Sequence, residues 1–212
     1  MNVRVKICGV NSPAAFDAAA GAAVDWIGFV FHQTSPRYVT PAQAALLSGR
    51  LWGGPQRVGL FVNPTDNQIA ETLETVKLHA LQLYAPVDRV ARIRAMFGVP
   101  VWRAIGVGSR AELPEDGGIA AYLVVEPKPL PDATQPGGNG IALDWKILAD
   151  WHPGTSWLLA GGLTPDNVAR AVADSGARAV DVSSGVESAP GVKSPALIAS
   201  FVRSARQNRV IA

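Results

Sequence analysis

The stretch WLLAGGLTPDNVARAVADSGARAVDVSSGVESAPGVK, residues 157–193, decides the fold. An apolar run ends in Gly161-Gly162, a helix follows, and a second apolar run ends in Ser183-Ser184-Gly185. A strand that breaks into glycine ahead of a helix leaves backbone N–H groups without partners. Those donors, with the helix dipole behind them, form an anion site suited above all to phosphate. Two such turns in succession near the C-terminal end of a chain are where a (β/α)8 barrel places its phosphate site. Gly161, Gly162, Ser183, Ser184 and Gly185 are therefore the candidate phosphate-binding residues.

The preceding residues supply the other strands. Val3 to Ile7 alternates: Val3, Val5 and Ile7 lie on one face, and Arg4, Lys6 and Cys8 on the other. A parallel strand covered on both sides should be apolar on both. A charged second face predicts a polar interior, such as a catalytic mouth. Further strands are predicted at Asp25 to Phe31, Arg57 to Val62, Leu78 to Tyr84, Pro100 to Ile105 and Ala121 to Val125, the last running into Glu126. Trp157 to Ala160 and Ala179 to Val182 complete eight. Ser12-Pro13 and Thr40-Pro41 start helices as cap and first helical residue. The helix after the seventh strand is predicted from Pro165 to Ser175 and the last from Pro195 to Gln207. Gly106 to Gly118 holds at most a poor helix. Pro127 to Gly140 has the composition of a lid, and Leu143 to Asp150 reads as a short helix. The alternation predicts one parallel α/β domain over residues 1–212. A doubly wound sheet would need a GxGxxG turn after the first strand, and Cys8-Gly9-Val10-Asn11 is not one.

Composition narrows the partners. The net charge is +2, with no basic cluster to suggest nucleic acid, and no apolar run is long enough to span a bilayer. The start lacks the regions of a signal peptide. A single cysteine permits no internal disulfide. A cytoplasmic protein is expected, as a monomer or weak homodimer. Three histidines and one cysteine show no metal-ligand spacing, so no metal is expected.

Several stretches together resemble the phosphoribosylanthranilate isomerase family of tryptophan biosynthesis. They are VKICGV at 5–10, GFVFHQTSPR at 28–37, VGLFVN at 58–63, LQL at 81–83, GGNG at 137–140, LDW at 143–145, LAGGLTPDNV at 159–168 and DVSSGVESAPGVKS at 181–194. KICG and DVSSGVE-x-x-PGVK are the specific motifs. The resemblance implies an Amadori rearrangement of a phosphoribosyl amine, without a cofactor, by one general acid and one general base. Cys8 matches the family's base, and Lys6, two residues away on the same strand face, is expected to lower its pKa. Glu126 stands where the family's motif has aspartate and is the expected acid, for which its pKa must rise. Arg37 resembles the contact to the substrate's carboxylate. Gln82, Lys6 and Asp181 are expected to face the substrate. A second departure is Tyr84-Ala85, where the family usually has His-Gly. Two other readings are an isomerase of another phosphoribosyl amine and a phosphosugar-binding barrel without turnover.

Overall fold

The computed structural model describes residues 2–128 and 143–207. Eight parallel strands close in sequence order into a barrel. They are β1 (Arg4–Cys8), β2 (Trp26–Val30), β3 (Gln56–Val62), β4 (Ala80–Tyr84), β5 (Val101–Val107), β6 (Tyr122–Pro127), β7 (Ser156–Leu159) and β8 (Ala179–Val182). β8 closes the ring on β1, from Arg4 opposite Ala179 to Ile7 opposite Val182.

Helices α1 (Pro13–Gly21), α2 (Pro41–Ser48), α3 (Asp66–Thr75), α4 (Val87–Phe97), α5 (Val168–Ser175) and α6 (Pro195–Gln207) pack outside. The starts follow the cap chemistry: the Ser12 and Thr65 side chains accept from backbone N–H groups, and Thr40 forms a reciprocal capping box with Gln43. Among the described residues no α-helix follows β5 or β6; 3₁₀ turns stand there, Arg110–Glu112 and Trp145–Leu148. The turn at 145–148 replaces the helix expected over 143–150. Asp144 caps it, but Asp150 takes a left-handed φ of 57° and Pro153 follows, so it cannot extend. The expected lid lies, beyond Lys128, outside the described residues, as does the 137–140 motif.

Two further differences bear on the site. α5 starts at Val168, not Pro165, because the Asn167 side chain is committed to the loop. It accepts from Thr164 N at 2.8 Å and donates to Gly162 O at 2.9 Å. A small antiparallel hairpin, β9 (Glu187–Ala189) and β10 (Val192–Lys193), follows β8 and was not expected; Pro190-Gly191 forms its turn.

The barrel interior is layered. At the N-terminal end Trp26, Trp102 and Tyr122 pack edge-on and tilted at 4.8–5.5 Å between ring centroids, with the Arg4 guanidinium 3.9 Å from the Trp26 ring centroid. Val58, Ala80, Val124 and Leu158 complete that plug. Above it lies a polar layer of Lys6, Gln82 and Asp181. At the C-terminal end stand Cys8, Val30, Leu60, Val62 and Tyr84. The other strand face, Val3, Val5 and Ile7 among it, packs under the helices in the main core. The expected polar interior face of β1 is thus observed.

Candidate active site

A cavity opens at the C-terminal end of the strands. Cys8 and Glu126 both line it, from strands on different sides of the barrel. Arg37, Gln82, Tyr84, Asp181, Gly161, Gly162, Ser183 and Ser184 line it too. Two predicted residues stand behind the lining. Lys6 is fully buried beneath the floor. Gly185 lies under the rim, where a Cβ would overlap the Leu163 carbonyl. Among the described residues no group of three or more His, Cys, Asp or Glu is placed to hold a metal ion.

Lys6 organises the floor. Its Nζ donates to Gln82 Oε1 and to Asp181 Oδ2, each at 2.8 Å. Burial would lower its pKa, but Asp181 and Cys8 beside it outweigh burial and hold it above the ordinary value. Lys6 therefore stays charged. Among the described residues Asp181 Oδ1 has no hydrogen-bond partner, and it is buried.

Lys6 lowers the Cys8 pKa as expected, but it does not decide the net shift, which is upward. Burial pushes the thiol up, Lys6 and Lys193 pull it down, Asp181 pushes it up again, and the balance lies above 9.0. Burial is the larger cause; the other is distant in sequence, because Asp181 stands beside Lys6 and pushes the thiol up. The thiol also has little room. A Cβ on Gly28, paired with Cys8 across β1 and β2, would meet Cys8 Sγ at 3.0 Å and Lys6 Cε at 3.2 Å. Gly28 is a packing requirement of the site.

Glu126 ends β6 and is only 5% exposed. Its pKa is raised to about 8: burial dominates, the Tyr84 hydroxyl hydrogen bond opposes it, Asp181 adds to it and Lys6 opposes it. The carboxyl is then protonated at neutral pH, as a proton donor must be.

Arg37 is held more firmly than a solvated loop arginine. Its Nε and Nη2 donate to Glu187 at 2.7 and 2.9 Å, a bidentate pair. Lys193, with a fully buried side chain, donates to the same carboxylate at 2.7 Å and to Ser183 O at 2.9 Å. Burial would raise the Glu187 pKa, but the two cations hold it below the usual carboxylate range. Among the described residues Arg37 Nη1 has no hydrogen-bond acceptor. Glu187 and Lys193 were missed from the sequence as site residues. The signal was their place in the E-x-x-PGVK motif, with a Pro-Gly turn between them.

The rim takes shape from two turns. Gly161 has φ of 83°, and a Cβ there would overlap the Pro127 ring. Among the described residues the N–H groups of Gly161 and Gly162 donate to no backbone carbonyl. Asn167 fixes the loop they belong to. On the facing turn the Ser183 hydroxyl donates to Cys8 O at 3.2 Å, so that turn and β1 are joined directly.

A closed parallel barrel whose mouth faces a buried thiol with a protonated carboxyl, under a rim of glycine and serine amides, belongs to the class of acid–base barrel enzymes that act on anionic substrates. The comparisons narrow the class. Residues 5–204 match the model for N-(5'phosphoribosyl)anthranilate (PRA) isomerase, and this chain belongs to that family. It is 48% identical to the N-(5'-phosphoribosyl)anthranilate isomerase of Granulibacter bethesdensis, over 97% of this chain and 99% of the relative. It is 50% identical to that of Acidiphilium cryptum, over 95% and 98%. Among solved structures, TrpF from Jonesia denitrificans matches with a TM-score of 0.82 at 39% identity, covering 96% of this chain and 97% of that one. A phosphoribosyl anthranilate isomerase in complex with reduced 1-(o-carboxyphenylamino)-1-deoxyribulose 5-phosphate matches with a TM-score of 0.81 at 29% identity, covering 97% and 100%.

Proposed function

We propose that this protein isomerises N-(5'-phosphoribosyl)anthranilate to 1-(2-carboxyphenylamino)-1-deoxyribulose 5-phosphate, a step of tryptophan biosynthesis. One observation carries the assignment of roles: Cys8 and Glu126 share a cavity with the two amide-lined turns. Glu126 gives its proton to the ribose ring oxygen, the C1'–O bond breaks, and the open-chain Schiff base forms. Cys8, as thiolate, takes the C2' proton. The resulting enolamine gains a proton at C1' and its C2' hydroxyl becomes the ketone. Gly161, Gly162, Ser183 and Ser184 offer main-chain donors to the phosphate, with Gly185 setting the turn beneath them. Arg37 meets the anthranilate carboxylate with the N–H groups that Glu187 leaves free. Gln82 and Asp181 face the sugar, and Asp181 Oδ1 is a vacant acceptor for a hydroxyl. Lys6 reaches the substrate through those two.

The reading carries a location and a state. A thiol base requires a reducing compartment, which supports the cytoplasm. Among the described residues no helix is long and apolar enough to cross a membrane. A monomer or weak homodimer is our reading of assembly; a solved relative from Thermotoga maritima is described as monomers generated from a dimeric enzyme. Sedimentation across a concentration series tests it.

Complementation of a tryptophan auxotroph lacking this isomerase tests the activity. Growth with the wild-type chain, but with neither Cys8→Ala nor Glu126→Gln, is expected. Well-folded wild-type protein that fails to support growth would refute the assignment. Undiminished growth with Glu126→Gln would remove Glu126 from the role of acid.

A further inference from the structure

Glutamate has one more rotatable bond than aspartate, so a glutamate acid must be held in place to aim its proton. Among the described residues Tyr84 shares the cavity lining with Glu126, and its phenol stands close enough to the carboxyl to oppose the rise in its pKa. The other groups facing Glu126 are Asp181 from β8 and Lys6 from β1, which act on it through charge alone.

The barrel gives Tyr84 a clear path. Tyr84 ends β4, beside Val62 of β3, and its ring packs on the Cys8, Val30 and Leu60 cluster. Between β4 and β6 runs β5, whose positions paired with Val124 and Glu126 are Ala104 and Gly106. Nothing larger than a methyl group stands between phenol and carboxyl on that strand. A ring anchored on one wall reaches over two small residues to the acid on the other.

We infer that Tyr84 is a positioning residue for Glu126: its phenol fixes the longer carboxyl arm at the proton-delivery position and donates to the carboxylate left once the proton has gone. The inference rests on the acid–base reading above. It also makes one unit of the two departures from the family pattern, Glu126 and Tyr84, which lie far apart in the chain. The bond is worth most after proton transfer, when the anion sits in a desolvated site, so it favours the transition state over the resting acid.

Tyr84→Phe keeps the ring and its packing and removes one oxygen. The expected result is a kcat lower by about 10- to 100-fold, the range of a small misplacement of a reacting group, with KM changed by less than about threefold. The Glu126 carboxyl, followed by carbon-13 NMR, should titrate at higher pH than in the wild type, because a bond to its ionised form is gone. In a Glu126→Asp background, where the arm is shorter, Tyr84→Phe should cost less than in the wild type. An unchanged kcat, a rise confined to KM, or an unmoved Glu126 titration would each overturn the inference. The titration needs no turnover. A wild type without isomerase activity would sink the functional assignment and still leave the Tyr84–Glu126 pairing open to proof or refutation by that midpoint.

Discussion

At the scale of single residues the site is a matter of two protons. The proposed reaction needs Glu126 protonated and Cys8 ionised, yet Glu126 titrates near 8 and Cys8 above 9.0. At neutral pH both groups hold their protons. Between the two values one proton is shared, and the productive arrangement is the minor one. The pair titrates as a unit. The expected kcat/KM profile is a bell that rises with a midpoint near pH 8 and falls beyond pH 9, so the optimum lies on the alkaline side; a plateau at pH 6–7 would contradict it. Stability follows the same carboxyl. The native state binds the Glu126 proton more tightly than the unfolded chain, whose value is near 4.5. Its favourable contribution is therefore full below about pH 4.5, declines as pH rises toward 8, and stays low above that. Glu126→Gln should accordingly stabilise the protein at pH 9 by an amount of order 4 kcal/mol, and by much less at pH 5, while lowering kcat by about 10²- to 10⁴-fold. Thermal unfolding at the two pH values, beside a turnover assay, checks both. A variant destabilised at pH 9 would show that the carboxylate is well solvated or paired.

At the scale of elements, the hairpin β9–β10 shows where sequence reading stops. Strands were legible because inward and outward residues alternate, and helix starts because Ser12 and Thr40 cap locally. The hairpin has two residue pairs, Val192 with Ala189 and Lys193 with Glu187, and joins groups that no local pattern connects. Arg37 lies 150 positions from Glu187, and Lys6 175 from Asp181. The net Cys8 pKa lay beyond local reading for a related reason: the downward pull of Lys6, two residues away, was visible, and the burial of the thiol and the distant Asp181 were not. The hairpin's task is to hold Arg37 and the Ser183 turn together through Glu187 and Lys193. Lys193→Met leaves Glu187 with Arg37 alone and frees the turn. Breaking one side of a buried ion cluster costs about 3 kcal/mol. The expected Tm is lower by roughly 6–12 °C. KM should rise about tenfold through the loosened rim, with kcat nearly kept. If kcat falls and KM does not move, the hairpin serves the reacting atoms instead of the anion rim.

At the scale of the whole molecule the barrel separates stability from chemistry along its axis. The N-terminal plug of Trp26, Trp102 and Tyr122 is apolar and close-packed, and the polar layer of Lys6, Gln82 and Asp181 lies between it and the mouth. That middle layer is costly, since Lys6 is wholly buried, and it is tolerable because both its acceptors come from other strands of the same closed ring. A large core beneath must offset it. Trp102 is 2% exposed and touches both Trp26 and Tyr122. Trp102→Ala should therefore cost about 3–5 kcal/mol, which for a chain of this size lowers Tm by roughly 6–20 °C. At a temperature where the variant remains folded, kcat and KM should stay within about threefold of the wild type, because the cavity opens at the opposite end. Differential scanning calorimetry paired with kinetics at 20 °C separates the two effects. A loss of kcat equal to that of Glu126→Gln, in folded Trp102→Ala protein, would mean that the aromatic plug sets the position of the Lys6 layer, and through it the thiol. In that event the plug would belong to the catalytic apparatus and the axial division of labour would not hold.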